Sequence, residues 1–258
     1  MALTTTQVYF NGNDLEAVIG ASLIDHNFND LPERQIRTYK LARANKSVTT
    51  SAEYSLKNVS VNFHLRGCTR AESEAVLADL KALLRSVSKE LIVSQGGTDI
   101  TYAGATLDSI NYRWFSNKII LTLNFEVANP IGYEDSYTSM VNTNITSQTA
   151  STAVDVDGSF DALPLITLDY NSVTGGTGKL VTIKNEETGQ ALTIEQDFAT
   201  SDSIEINVEQ KTVVMNGATI DYTGIFLTFQ PGTSAIGYLD TFTDRDVDLV
   251  VTYKKRYI

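Results

Sequence analysis

The sequence is poor in the residues that carry most enzyme chemistry and most covalent bracing. Cys68 is its one cysteine, so no disulfide can close within the chain. The expectation is a small buried or half-buried thiol in a protein made in a reducing cytosol. The two histidines, His26 and His64, fall in a turn-like stretch and on the polar face of an alternating segment. No Ser-His-Asp, Cys-His or spaced zinc set can be placed with them. Four prolines exclude a collagen-like or polyproline-rich architecture. No apolar run approaches the length of a membrane span, so no membrane insertion is expected. Met1-Ala2-Leu3-Thr4-Thr5-Thr6 lacks the basic and apolar regions of a signal peptide. Cations are scarce as well: 20 Lys and Arg face 31 Asp and Glu, a net charge of -11. That balance argues against a general or sequence-specific nucleic-acid binder, which needs a basic face.

What is present is a folded, strand-forming composition. Hydrophobic residues make up 42% of 258 residues, and 12 Tyr and 10 Phe outnumber 3 Met. The length suits one large domain or two ordinary ones. Charge favours two: residues 1–132 are balanced, residues 133–244 carry 16 acids against 3 bases, and residues 245–258 are net basic. Residues 119–128 read as a strand that stops at Asn129-Pro130. Residues 133–152, rich in Ser, Thr and Asn, read as a linker or loosely held strand. An acidic β-sandwich is expected over 153–244, and the basic strand 245–258 is expected to complete the first domain.

The first domain reads as a sheet with one packed helix, about 69–87. Thr69-Arg70-Ala71-Glu72 is a capping box, and Val76, Leu77, Leu80, Leu83, Leu84 and Val87 form one apolar stripe of a 3.6-residue period. Val59, Val61, Phe63 and Leu65 alternate with polar residues, as do Leu121, Leu123, Phe125 and Val127. Asn216-Gly217 between Val213-Val214-Met215 and Ala218-Thr219-Ile220 is a two-residue hairpin signal. Residues 171–179 read as another hairpin loop. The fold class is therefore mainly β with one helix: an α+β N-terminal domain plus a C-terminal β-sandwich.

Sites of chemistry fail on inspection. Gly175-Gly176-Thr177-Gly178-Lys179 resembles a phosphate loop, but Val173 and Leu180 stand where that loop needs Gly and Ser or Thr. Asp155-Val156-Asp157-Gly158 and Asp240, Asp244, Asp246 and Asp248 do not match a calcium-binding loop. Carboxylate pairs for glycan hydrolysis are a matter of spatial separation, which sequence does not give. No catalytic, cofactor-binding or metal-binding residue is assigned, and no cofactor is expected. One pattern is unusual: Arg34, Arg37, Lys40, Arg43 and Lys46 recur every third residue. It reads as a solvated loop or as an extended arm that lays cations on a neighbouring subunit's carboxylates. These five are the candidate subunit-interface residues.

Several short motifs, taken in order, carry a resemblance. Val8-Tyr9-Phe10-Asn11-Gly12-Asn13-Asp14-Leu15 opens the chain, and Leu121-Thr122-Leu123-Asn124-Phe125 with Pro130 closes the first domain. Asp157-Gly158-Ser159-Phe160 precedes Leu163-Pro164-Leu165-Ile166-Thr167-Leu168, and Ile204-Glu205-Ile206 precedes Val213-Val214-Met215-Asn216-Gly217. Leu249-Val250-Val251-Thr252-Tyr253-Lys254-Lys255-Arg256-Tyr257 is a basic-aromatic ending. In order and spacing these motifs resemble the distal tail proteins of long non-contractile-tailed phages. The resemblance implies a structural protein, not an enzyme. It implies a homo-hexameric ring that continues the tail tube, with a lumen for DNA and the tape-measure protein, and a galectin-like sandwich outside. Partners would be the tail tube protein and tail-tip or tail-associated proteins. The protein would be made in the bacterial cytoplasm and reside at the distal end of the virion tail. A carbohydrate-binding module for host attachment is the alternative, with a tail-associated glycan hydrolase behind it.

Overall fold

The computed structural model describes residues 6–40, 47–66, 69–115 and 118–258. Cys68, Arg43 and Lys46 lie outside them. The chain divides into two units, residues 1–135 with 258, and residues 136–257.

In the first unit β1 (Gln7–Phe10) turns through Asn11 and Gly12 into β2 (Asn13–Asp14). Both turn residues have positive φ, 49° and 77°, as a two-residue hairpin requires. Asp14 then caps α1 (Leu15–Ile19), a short helix that the sequence reading misses. Next come β3 (Ser22–His26), β4 (Arg34–Lys40), β5 (Ser47–Tyr54) and β6 (Lys57–Arg66). They are followed by α2 (Arg70–Leu84), β7 (Lys89–Gln95), β8 (Thr98–Phe115), β9 (Lys118–Val127) and the start of β10 (Gly132–Ile145). The antiparallel sheet runs β3-β6-β9-β8-β7-β1-β2. Thr69 caps α2 in a reciprocal capping box with Glu72. Leu80 and Leu84 are buried and Val76, Leu77 and Leu83 partly so, against Phe10, Phe63 and Phe125 of the sheet core. Val87, beyond the helix end, is exposed instead of closing the stripe.

The second unit is a β-sandwich. Its strands are β11 (Thr149–Val156), β12 (Leu165–Thr174), β13 (Lys179–Asn185), β14 (Ala191–Gln196), β15 (Ser203–Asn207) and β16 (Thr212–Met215). Then follow β17 (Ala218–Thr219), β18 (Thr223–Gly224), β19 (Gly232–Asp240) and β20 (Asp244–Tyr257). One sheet runs β17-β16-β15-β12-β20-β10 and the other β11-β19-β13-β14-β18. Alternate residues of both meet in one core, including Ile166, Leu168 and Tyr170 from β12 and Val181 and Ile183 from β13. Burial of such apolar faces from water is the main stabilising force.

Three expectations are corrected. Of the two readings of residues 133–152, linker or loosely held strand, the linker fails: they form most of β10 and the start of β11, with Ile145 buried in the core and Met140 and Ala150 packed against it. Residues 171–179 are not a hairpin loop: Asn171 to Thr174 continue β12, and β12 and β13 belong to different sheets. The C-terminal strand does not complete the first unit. β20 lies between β12 and β10, and Val247, Leu249, Val251 and Tyr253 fill the sandwich core. Its basic end also contacts the acidic unit: Lys255 Nζ lies 3.2 Å from the Asp157 carboxylate, and Arg256 donates to the Asp161 main-chain carbonyl at 2.8 Å.

Candidate functional site

Three of the five cations expected as a loop or arm fall on the first strand of a hairpin, and Arg43 and Lys46 lie outside the described residues. Arg34, Arg37 and Lys40 lie in β4, opposite Tyr54, Ser51 and Ser47 of β5, with a register shift after Arg37. Such a shift inserts an unpaired residue and bends the strand. These two strands pair only with each other among the described residues. A lone two-stranded hairpin is marginal in water and gains from a surface to lie on. Arg34 is exposed, its guanidinium carbon 5.8 Å from the Tyr54 ring centre.

At the foot of this hairpin is an open cleft of about 660 Å³, lined by Asp30, Leu31, Glu33, Tyr54, Leu56 and Glu126 among others. Lys57 lies in its floor, buried to 1% exposure. Its ammonium donates to the Phe28 carbonyl at 2.6 Å and to the Tyr102 hydroxyl at 3.4 Å, and sits 4.8 Å from the Tyr102 ring centre. Burial lowers the Lys57 pKa from its ordinary 10.5, while the Asp30 carboxylate opposes the shift. Nothing in the sequence marks this group, because a lysine that opens an alternating strand reads as a wet end.

The opposite end of β8 and β9 has another character. Tyr112, Trp114 and Phe115 are 54%, 41% and 36% exposed, and Trp114 is the chain's one tryptophan. Arg113 and Lys118 flank the Phe115 ring at 5.1 and 5.6 Å from its centre. Exposed aromatic groups bracketed by cations are typical of contact surfaces.

In the second unit one charged network is buried. Asp240 is fully buried and accepts from the Tyr238 hydroxyl at 2.7 Å and from the Phe242 N–H at 2.9 Å. The Arg245 Nε lies 3.0 Å from the same carboxylate. This network is almost wholly buried and reads as structural. A shallow cleft of about 370 Å³ lies elsewhere, lined by Leu180, Thr193, Glu195, Gln196, Asp221 and Tyr222 with Thr223. In the glycine-rich turn the Gly178 N–H donates to the Asp197 carboxylate at 2.6 Å, a contact that excludes a phosphate there. No three His, Cys, Asp or Glu side chains are grouped to hold a metal ion among the described residues. His26 and His64 lie on the adjoining strands β3 and β6.

Residues 157–257 match the family model of the siphovirus-type tail component, C-terminal domain. Over the whole chain, the Dit protein of phage SPP1, described as a paradigm of the hub adsorption apparatus in phages infecting Gram-positive bacteria, has the same fold. The TM-score is 0.68 at 14% identity, over 98% of this chain and 100% of that one. The resemblance to siphophage distal tail proteins holds. A chain of the phage p2 baseplate in its activated conformation with strontium gives a TM-score of 0.42 at 8% identity, over 97% of this chain and 98% of that one. No curated protein sequence matches. The distal tail fold extends through both units, whereas the family model lies within the sandwich.

Proposed function

We propose that this protein is a structural component of a phage tail tip, a hub that joins the tail tube to the tail-tip or receptor-binding apparatus. The observation that carries this reading is the siphovirus tail-component domain over residues 157–257, set within a distal tail fold that covers nearly the whole chain. In this reading six copies close into a ring whose lumen passes DNA and the tape-measure protein. The tail tube protein and a tail-associated protein dock on its two ends, and the protein resides at the distal end of the virion tail. Its role is architectural rather than catalytic. Arg34, Arg37, Lys40, Arg43 and Lys46 belong to the subunit interface in this reading, and the hairpin that carries the first three pairs with no other strand among the described residues and gains a neighbour's surface.

Sedimentation velocity and native mass spectrometry test the ring. A hexamer of 28.3 kDa chains has a mass of about 170 kDa. A chain that stays monomeric at high concentration, and also beside its tail-tube partner, refutes the reading. A second reading, carbohydrate binding, rests on Tyr222, 38% exposed beside Glu195, Gln196 and Asp221 in the shallow cleft. An aromatic face with flanking acceptors suits a neutral sugar. Glycan-array binding that is abolished by Tyr222→Ala would favour it.

A further inference from the structure

Two surfaces of the first unit are complementary and stand at opposite ends of the same strands. One is the aromatic and cationic end of the β8–β9 hairpin, with Trp114, Phe115, Arg113 and Lys118. The other is the cleft with exposed carboxylates on Asp30, Glu33 and Glu126, and with Leu31 and Leu56 exposed to 73% and 46%. The register fixes their separation. Lys118 pairs with Phe115 and Arg66, whereas Val127, next to Glu126, pairs with Ala105 and Lys57. Eight residues of extended strand separate Lys118 from Glu126, about 26 Å at 3.3 Å per residue. A chain cannot fold that end into its own cleft, since the strand between them is held by partners along both edges.

We propose that the β8–β9 end of one copy seats in the acidic cleft of a second copy, Arg113 and Lys118 meeting Glu33, Glu126 and Asp30, and the aromatic rings covering Leu31 and Leu56. The contact is head-to-tail, so each copy offers one donor end and one acceptor cleft. Repetition of such a contact gives a closed ring when the rotation closes and a filament when it does not. The inference rests on the reading of the chain as a ring-forming hub, and names the surfaces that meet. Both signs of charge are needed in one place, which makes the contact specific: like charges set against each other there repel.

Trp114 supplies a built-in probe, because no other tryptophan contributes to the emission. On dilution of the wild-type assembly its emission should shift to the red as the ring leaves the cleft. Two variants then test the pairing, one with Arg113→Glu and Lys118→Glu, the other with Glu33→Lys and Glu126→Lys. Each alone faces like charge with like and should associate at least tenfold more weakly than wild type. Mixed in equal amounts, each end meets a cleft of opposite sign, and assembly with blue-shifted Trp114 emission should return. All four positions are exposed, so far-UV circular dichroism and the melting temperature should match wild type. Wild type that assembles with unchanged Trp114 emission, variants that assemble normally, or a mixture that stays apart would each overturn the contact and leave the ring intact. Wild type that never assembles would overturn the ring, and this contact with it.

Discussion

The buried pair of Asp240 and Arg245 offers the sharpest test of what holds the sandwich together. Asp240 is fully buried and Arg245 is 8% exposed, so neither charge is solvated when its partner is removed. Asp240→Ala strips Arg245 of its counter-charge and also leaves the Tyr238 hydroxyl and the Phe242 N–H without their acceptor. Breaking a buried pair from one side costs about 3–5 kcal/mol. Unfolding of a domain of this size spans about 5–15 kcal/mol in total, so the loss is a large fraction. It corresponds to a fall of roughly 10–20 °C in the melting transition of the second unit. Arg245→Met should cost less, because Asp240 keeps two hydrogen-bond donors. The double variant should be more stable than the summed singles predict, with a coupling of about 1–3 kcal/mol. Urea unfolding of all four proteins measures the cycle. A cost below about 1 kcal/mol for Asp240→Ala, or strict additivity, would refute the argument that the pair is desolvated as a unit.

Charge reversal at Arg37 and Arg43 together should weaken assembly while leaving the protomer's melting temperature unchanged; exposed pairs are worth about 0–1 kcal/mol each, so the double reversal is the informative one. Unaltered sedimentation would return the run to the solvated reading. Burial, above all, raises the pKa values of Tyr170 and Tyr238 well above the ordinary 10.0. Their stabilising contribution is complete below that unfolded value and is lost as pH climbs beyond it toward the folded values. The second unit should therefore hold its melting temperature up to about pH 9 and lose it steeply above 10, with Tyr170→Phe flattening the fall. Tyrosinate absorbance from both groups near pH 10 in the folded protein would contradict this. A Cβ on Gly176 would sit 2.0 Å from the Phe198 carbonyl oxygen, whereas one on Gly178, at φ +58°, meets nothing within 4 Å. Gly178→Ala should cost about 1–2 kcal/mol from backbone strain alone, and Gly176→Ala more, as read by thermal melts.

The legible parts of the fold were those where local chemistry and tertiary packing agree. The capping box at Thr69 and Glu72 and the positive φ of Asn216 and Gly217 are local devices, and each stands where its residues ask for it. Pattern misled where packing decides. β10 carries Ser, Thr and Asn because much of it is exposed, and only Ile145 enters the core fully while Met140 packs in part. α1 is a five-residue helix, too short for a periodic stripe. The charge of the C-terminal strand points to the first domain, although its alternation of Val247, Leu249, Val251 and Tyr253 asks for a sandwich core. The complementary surfaces of the first unit were illegible for another reason. Asp30, Glu33 and Glu126 are distant in sequence, and the topology alone gathers them at the foot of β4 and β5.

The position of β20 sets a timetable. It lies between β12 and β10, and Thr252 pairs with Leu165, so the middle of a sheet waits for its latest-made strand. At ribosomal speeds of about 5–20 residues per second, roughly 4–17 s separate the emergence of those two partners. Through that interval β12 presents an open edge of alternating Ile166, Leu168 and Tyr170 to whatever strand comes first. On a crowded polysome the first comer can be the β20 of a neighbouring chain, and an exchanged pair keeps every hydrogen bond of the native sheet. Slowing translation between residues 175 and 243 should raise the share of such exchanged dimers among freshly made protein, whereas monomer at every speed would mean that β12 waits under cover.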